Sequence, residues 1–275
     1  MIIDGKQLSS EIIEELKKER ELIPKKIRLA VVLVGNDPAS LSFIKQKEKV
    51  AKELNIDFRL YQYPETIKTK ELRKKISEIS RVTYNRGVVI QLPLPASINS
   101  QVVLNAILPL KDPDILSEKS LGGFYVNRLK ILPPVVEAIK FLLEKYQINP
   151  EGKNVLIIGR GQLVGKPVGL WFIHQRATVT VANSQTKNLE NLLKTAEIIV
   201  SSVGLPGLIK GEMIQKGAII FDAAVVSEAG KLVGDCDFES AKEKASLITP
   251  VPGGLGPLVV AFLFKNLLEM VKNQK

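Results

Sequence analysis

The sequence predicts an α/β protein built as two three-layer domains flanking a cleft. Helical and strand patterns alternate from end to end, the strands are continuous apolar runs, and the alternation breaks once, around residues 99–134. Alternation with apolar strands argues for parallel sheets covered by helices on both faces. A chain of 275 residues leaves room for roughly two such domains.

The elements follow in order. LSSEIIEELKKEREL (8–22) has the spacing of an amphipathic helix, and IRLAVVLVG (27–35) is an apolar strand. A helix over 40–54, a strand over 58–64, a helix over 68–80 and a strand GVVIQLPLP (87–95) come next. The stretch 99–134 carries prolines and glycines without clear periodicity, which predicts a linker and the rim of the cleft. VVEAIKFLLEKY (135–146) is a helix that opens a second series. That series runs NVLIIG strand, helix, ATVTVAN strand, NLENLLKTA helix, then EIIVSSVG, GAIIFDAAV and ASLITPVPGG as strands. The expected boundaries are 1–135 and 136–256, with a last helix over about 257–275 packing back on the first domain.

Composition bounds the function. Hydrophobic residues make up 45% and charged residues 25%, a balance typical of soluble globular chains. No apolar run approaches the roughly 20 residues of a membrane helix, and the acid-bearing start MIIDGKQLSSEIIEEL is not a signal peptide. The net charge of +10 is interleaved with acids at helical spacing, and aromatics are too few for base-stacking platforms. This disfavours nucleic acid, while a basic surface suits small polyanions such as nucleotides and polycarboxylates. Cys236 and His174 are the sole cysteine and histidine, too few for a metal cluster. A single cysteine fits a reducing cytoplasm.

The chemistry-bearing motif opens the second series. After strand Asn154–Ile158 come Gly159, Gly161 and Gly165, then a helical pattern through Val168, Leu170, Trp171 and Ile173. Strand, glycine loop and helix in that order make a dinucleotide site, where amides and a helix N-terminus face a pyrophosphate. The spacing G-x-G-x-x-x-G is one residue longer than the commonest fingerprint. By itself it is also compatible with a tight structural turn, and the β-α-β unit from Asn154 to Asn183 favours the Rossmann-type reading. The second strand ends in VANSQT, where an acid would grip the ribose of NAD; Ser184 and Thr186 are neutral, and Arg160 lies in the loop. That pattern favours NADP, with NAD as the alternative.

Five stretches together resemble one family, the bifunctional methylenetetrahydrofolate dehydrogenase/cyclohydrolases of one-carbon metabolism (FolD-type). They are VGNDPASLSFIKQKEK (34–49), GVVIQLPLP (87–95), IIGRGQLVGKP (157–167), GDCDF (234–238) and ITPVPGGLGP (248–257). The resemblance implies two α/β domains about a cleft, NADP on the second domain, folate in the cleft, and a homodimer formed through the nucleotide domains. It implies oxidation of the methylene bridge by hydride transfer, then hydrolysis to 10-formyltetrahydrofolate, on substrates that include polyglutamylated forms.

By the same resemblance Lys47 is the catalytic lysine, Gln91 orients it, and Asp114 grips the pterin edge. Phe43, Pro252, Gly253 and Gly254 join Gln91 and Asp114 in binding substrate. Gly159, Arg160, Gly161, Val164, Gly165, Ser184 and Val225 fall on the cofactor positions. Lys47 lies four residues after Phe43, so both project from one helical face. An unperturbed lysine, near pKa 10.4, is a poor base, so surroundings must lower it.

The chain departs from the family pattern in specific places. Phe43 stands where relatives have tyrosine, and Asp112–Leu116 reads DPDIL for D-V-D-G-F. Pro133–Val136 replaces P-C-T-P, and Gly161 replaces the serine of G-R-S. Leu258 follows PGGLGP where threonine is usual, and Asn183–Thr186 reads NSQT for H-S-R-T. Nucleotide-side features mostly survive and folate-side features are thinned. Two alternatives therefore stand beside the enzyme: a non-catalytic relative that binds nucleotide or folate as a regulator, and an enzyme of the same build acting on another reduced pterin.

Overall fold

The computed structural model describes residues 1–228 and 230–273. The chain runs through α1 (Gly5–Glu21), β1 (Arg28–Val34), α2 (Pro38–Glu53), β2 (Asp57–Tyr63), α3 (Thr69–Arg81) and β3 (Asn85–Ile90). Then come α4 (Ser100–Leu104), α5 (Glu118–Tyr125), α6 (Pro134–Lys145), β4 (Asn154–Ile158), α7 (Gly165–His174), β5 (Thr178–Ala182) and α8 (Leu189–Thr195). Last are β6 (Ile198–Ser201), β7 (Ile219–Asp222), β8 (Val226–Glu228), β9 (Lys231–Val233), α9 (Phe238–Lys242), β10 (Leu247–Ile248) and α10 (Leu255–Lys272).

Two compact units result, one from Ser10–Pro134 with Val260 onward, the other from Met1–Ser9 with Val135–Val259. The first nine residues differ from the expected 1–135 grouping for a hydrogen-bonding reason. Ile3 N–H donates to the Ile248 carbonyl at 3.0 Å and Ile248 N–H donates to that of Met1 at 3.0 Å, so the N-terminus extends the second sheet.

In the unit of Ser10–Pro134, three parallel strands pair in the order β2-β1-β3. One face (Ala30, Val32, Val34, Val88, Ile90) buries against Leu72, Ile76 and Ile79 of α3 and Val103 and Leu104 of α4. The opposite face meets α10: a Cβ on Gly87 would strike Leu267, with Leu29 and Pro113 close by. Alternation along the strand puts Gln91, which follows Ile90, on that same side. Its amide donates to the Val32 carbonyl at 2.8 Å, extending the ladder one residue past β3. The expected strand 87–95 therefore ends at Ile90 and Gln91, and the prolines of QLPLP take the chain off the sheet.

The stretch 99–134, expected as linker, holds two short helices. Asn99 and Ser117 cap them through side-chain oxygens that accept from Val102 and Ser120 amides. Their brevity hides the helical period. Asn266 of α10 ties the stretch down, its Nδ2 donating to the carbonyls of Pro113 (2.9 Å) and Leu132 (2.8 Å).

The other unit has a five-stranded parallel sheet in the order β10-β7-β6-β4-β5. Leu156, Ile158, Ile199 and Ile220 face Leu193 of α8 and Ala241 of α9. On the opposite face α7 approaches closely enough that a Cβ at Gly169 would lie in contact with Ile157, Val179 and Val181. Two features escaped the sequence pattern, the antiparallel hairpin β8–β9 and the short α9.

Candidate active site

Helix α2 begins at an Asp37 cap whose carboxylate accepts from Ser40 N–H at 2.8 Å, with Pro38 at the first helical position. That fixed start sets the phase of the helix. Lys47, three turns on, donates from Nζ to Gln91 Oε1 at 2.8 Å. Gln91 is buried, and its Nε2 donates to the Leu92 carbonyl at 2.8 Å, which orients its oxygen toward the lysine. Phe43 lies half-buried one helical turn before Lys47.

Asp114 completes this group through its charge. Burial of the ammonium lowers the Lys47 pKa from its usual value, and the Asp114 carboxylate opposes that shift. Burial likewise pushes the Asp114 pKa up to about 6; Lys47 holds it down, and neighbouring Asp112 adds to the rise. An acid and a base with displaced pKa values, coupled through their charges, are suited to handling protons.

The turn that presents Asp114 is built by the other acid. Asp112 is 1% exposed, and its carboxylate accepts from Leu116 N–H (3.1 Å) and Ser117 N–H (2.9 Å). Its carbonyl accepts from Ile115 N–H at 3.2 Å. Ile115, where relatives have glycine, sits at φ +57°.

In the other unit the predicted cofactor residues gather at one edge of the sheet. β4 has β5 on one side and β6 on the other, so the chain reverses its winding there and the strand ends open a crevice. Gly159 lies at that point with φ +106°, its space bounded by Ser202 and Val203. A Cβ at Gly165 would overlap the Gly159 carbonyl, so only glycine lets α7 start this close to the strand. Gly161 differs, since a Cβ there meets nothing within 4 Å. The helix cap, Val164, offers no capping side chain, which leaves the N-terminus available to an anion.

Arg160 and Ser184 are exposed at the ends of β4 and β5, and Val225 is half-buried past the end of β7. Ala223 N–H donates to the Ser201 carbonyl at 2.8 Å, which holds Val225's loop beside β6. These features fit a dinucleotide: a glycine cradle, an uncapped helix start, a cation in the loop after β4 and no acid at the end of β5.

Pro252, Gly253 and Gly254 fall in this unit, past β10, and not with Lys47, Gln91 and Asp114. Gly253 has φ +105°, and a Cβ at Gly5 would overlap the Gly254 carbonyl, so α1 starts directly on this loop.

The GDCDF stretch is structural wiring for the same edge. Asp235 is fully buried; it accepts from Ser201 Oγ, Val203 N–H (2.9 Å) and Leu205 N–H (2.7 Å), and so fixes the loop after β6. Asp222 accepts from Cys236 N–H at 2.8 Å, and Gly234 is small enough to leave its carboxylate room. Burial raises the Asp222 pKa against those bonds and pushes the Cys236 thiol far up, so the thiol stays protonated and unreactive. His174 closes the last turn of α7, away from these groups in the chain.

Residues 3–114 match the family model described as the tetrahydrofolate dehydrogenase/cyclohydrolase catalytic domain, and residues 133–275 match its NAD(P)-binding domain. The chain belongs to the tetrahydrofolate dehydrogenase/cyclohydrolase family. It is 41% identical to the bifunctional protein FolD of Aliarcobacter butzleri, over 99% of this chain and 96% of that one. Among solved structures, the FolD methylenetetrahydrofolate dehydrogenase/cyclohydrolase of Campylobacter jejuni superposes with a TM-score of 0.93 at 35% identity, covering 99% of each chain. The Trypanosoma brucei FolD, solved with NADP cofactor and inhibitor, gives 0.93 at 31% identity, covering 99% of this chain and 97% of that one.

Within this tetrahydrofolate dehydrogenase/cyclohydrolase chain, two residues that fix loops near these groups were given no role by the sequence. Asn266 and Asp235, the latter inside the GDCDF stretch, bind partners brought near only by folding. Asn266 is separated from its acceptor Pro113 by 153 positions.

The paired charges yield a titration test. Folded Asp114 keeps its proton up to about pH 6, while the unfolded chain releases it near 3.8. The folded state then binds more protons across that window, so this group lowers stability as pH rises from about 4 to 6 and not beyond. Asp114→Asn should flatten that decline in denaturant unfolding. It also removes the anion that raises Lys47, so the Lys47 resonance in labelled protein should titrate at lower pH than in the unaltered chain. An unchanged Lys47 titration would separate the two groups.

Proposed function

We propose that this chain oxidises 5,10-methylenetetrahydrofolate to the 5,10-methenyl compound with NADP as hydride acceptor, then hydrolyses that product, more slowly, to 10-formyltetrahydrofolate. The observation that carries the reading is Lys47, lowered in pKa, bonded to Gln91 and coupled to Asp114. When bound, NADP supplies the acceptor carbon for the hydride leaving the methylene bridge.

Oxidation asks little proton chemistry of the protein. The folate nitrogens stabilise the methenyl cation, and the residues need only hold substrate in line. Asp114, ionised above about pH 6, can accept paired N–H bonds from the aminopyrimidine edge. Hydrolysis is different, because water loses one proton as it adds to the cationic carbon and its second as the carbinol becomes the formyl C=O; one proton goes to the ring nitrogen whose C–N bond breaks and the other leaves to solvent. Lys47, with its pKa lowered by burial, can accept the first proton and return it, and Gln91 keeps Nζ aimed during the exchange.

The changed surroundings of Asp114, Ile115 and Leu116 in place of Gly-Phe, favour one second reading: the same chemistry on a different reduced pterin. Assay of purified protein with methylenetetrahydrofolate and either nucleotide, following reduced nicotinamide and methenyl product separately, decides between them. Turnover of neither reaction would leave the non-catalytic relative.

The homodimer is proposed on the edge of the five-stranded sheet. β5 is a terminal strand, and Val181 on it and Ile173 at the end of α7 are 47% and 58% exposed. An apolar, unpaired edge is a surface that proteins cover. No described helix is long and apolar enough to cross a membrane, and the lone unpaired Cys236 suits a reducing cytoplasm. Basic surface charge favours folates bearing polyglutamate tails.

Lys47→Met should keep folate binding and lose most methenyl hydrolysis, while Phe43→Tyr, which adds a hydroxyl one turn from the lysine, should raise hydrolysis and leave hydride transfer nearly unchanged; stopped-flow loss of methenyl absorbance measures both. Arg160→Ala should weaken NADP by about 1.5–3 kcal/mol and NAD much less, because only NADP loses a charge-assisted phosphate contact; equal weakening in calorimetry sinks the assignment. Light scattering should give twice the chain mass, and Val181→Lys should return it to one.

A further inference from the structure

Ser202 follows β6 at the crevice where the sheet reverses its winding, beside Gly159. Its hydroxyl is buried without a hydrogen-bond partner, although the residue as a whole is half-exposed. A Cβ placed on Gly159 would lie 3.1 Å from Ser202 Oγ, so the hydroxyl is packed against the first glycine of the cradle. Asp235 binds the side chain of Ser201 and the amides of Val203 and Leu205, and Ser202 N–H donates to the Ile158 carbonyl at 3.0 Å. The backbone is thus held from both flanks while one polar group in the middle of it is left over.

A buried hydroxyl without a partner costs the free energy of its lost water, and serine can turn between staggered positions about a single bond. We propose that Ser202 is a cofactor-binding residue, whose hydroxyl turns out to donate to the pyrophosphate–ribose part of the bound dinucleotide, with Asp235 as the residue that positions its loop. The inference rests on the nucleotide reading of this edge. The part of the ligand next to the first glycine and the helix start is the part that NADP and NAD share. Ser202 therefore adds affinity without discrimination, whereas Arg160 supplies discrimination.

Calorimetric titration of NADP and of NAD into the unaltered chain, Ser202→Ala and Arg160→Ala separates the roles, with thermal unfolding measured in the absence of nucleotide. Ser202→Ala should bind both nucleotides about 3- to 10-fold more weakly, as expected for one hydrogen bond. Its nucleotide-free unfolding temperature should equal or exceed that of the unaltered chain, since the substitution removes a partnerless hydroxyl. Unchanged affinity for both nucleotides, loss confined to NADP, or a lowered nucleotide-free unfolding temperature would each overturn the proposal while leaving the site intact. Failure of the unaltered chain to bind either nucleotide would overturn the nucleotide reading and the proposal together.

Discussion

The hydrogen bond from Lys47 Nζ to Gln91 Oε1 couples helix α2 to the end of β3, the two elements on which the proposed chemistry depends. An ammonium taken out of water is costly, and the cost falls if the group is given an oriented acceptor and a counter-charge. Here the acceptor is a neutral amide and the counter-charge, Asp114, is itself raised by burial. A carboxylate bonded directly to Nζ would pin the proton on the lysine. An amide acceptor holds the same geometry without choosing the protonation state, which a group that must accept and return a proton requires. The capped start of α2 and the extra ladder bond at Gln91 serve this contact, one fixing the helix phase and the other the end of β3.

Four buried or half-buried aspartates divide by what satisfies them. Asp112, Asp222 and Asp235 accept from backbone amides, and each ties a loop that the strands alone do not determine. Asp114 faces a cation instead. The first kind is structural because its bonds are made within the fold. The second kind has capacity left for another molecule. The same accounting marks Ser202, whose hydroxyl has no partner in a loop that Asp235 ties down.

The long elements were legible because their faces are buried: every residue of Leu29–Val34 is buried, and Leu72, Ile76 and Ile79 recur at helical spacing. Lys47, Gln91 and the glycine loop were legible through their motifs, and folding unites Lys47, Gln91 and Asp114 in one unit while Pro252–Gly254 go with the other. What stayed hidden was short or distant. Helices α4 and α9 have five residues each, too few to show a period. The N-terminal nine residues join the second sheet through contacts almost 250 positions away, with Met1 N donating to the Ser246 carbonyl at |i−j| = 245. Asn266 is a buried polar residue in a largely apolar helix, and nothing near it in sequence names its acceptors.

The turn carrying Asp114 shows how a thinned motif can keep its geometry. Relatives place glycine at the position of Ile115, and the backbone here, at φ +57°, explains that preference. A β-branched residue in this conformation costs about 1–2 kcal/mol. Ile115 is 1% exposed, and burying such a side chain contributes about 1.5–3 kcal/mol, enough to offset the strain. Three bonds to Asp112 and the Asn266 contact to Pro113 hold the turn from both ends and with it the backbone of Ile115. The backbone that aims Asp114 is thereby preserved without its glycine. What changes is the wall around it, since a branched aliphatic group now occupies the position after the acid. On the proposed role of Asp114, alteration there bears on the shape of the substrate accepted, while the Lys47–Gln91 bond, on other elements, is left as the family motif has it.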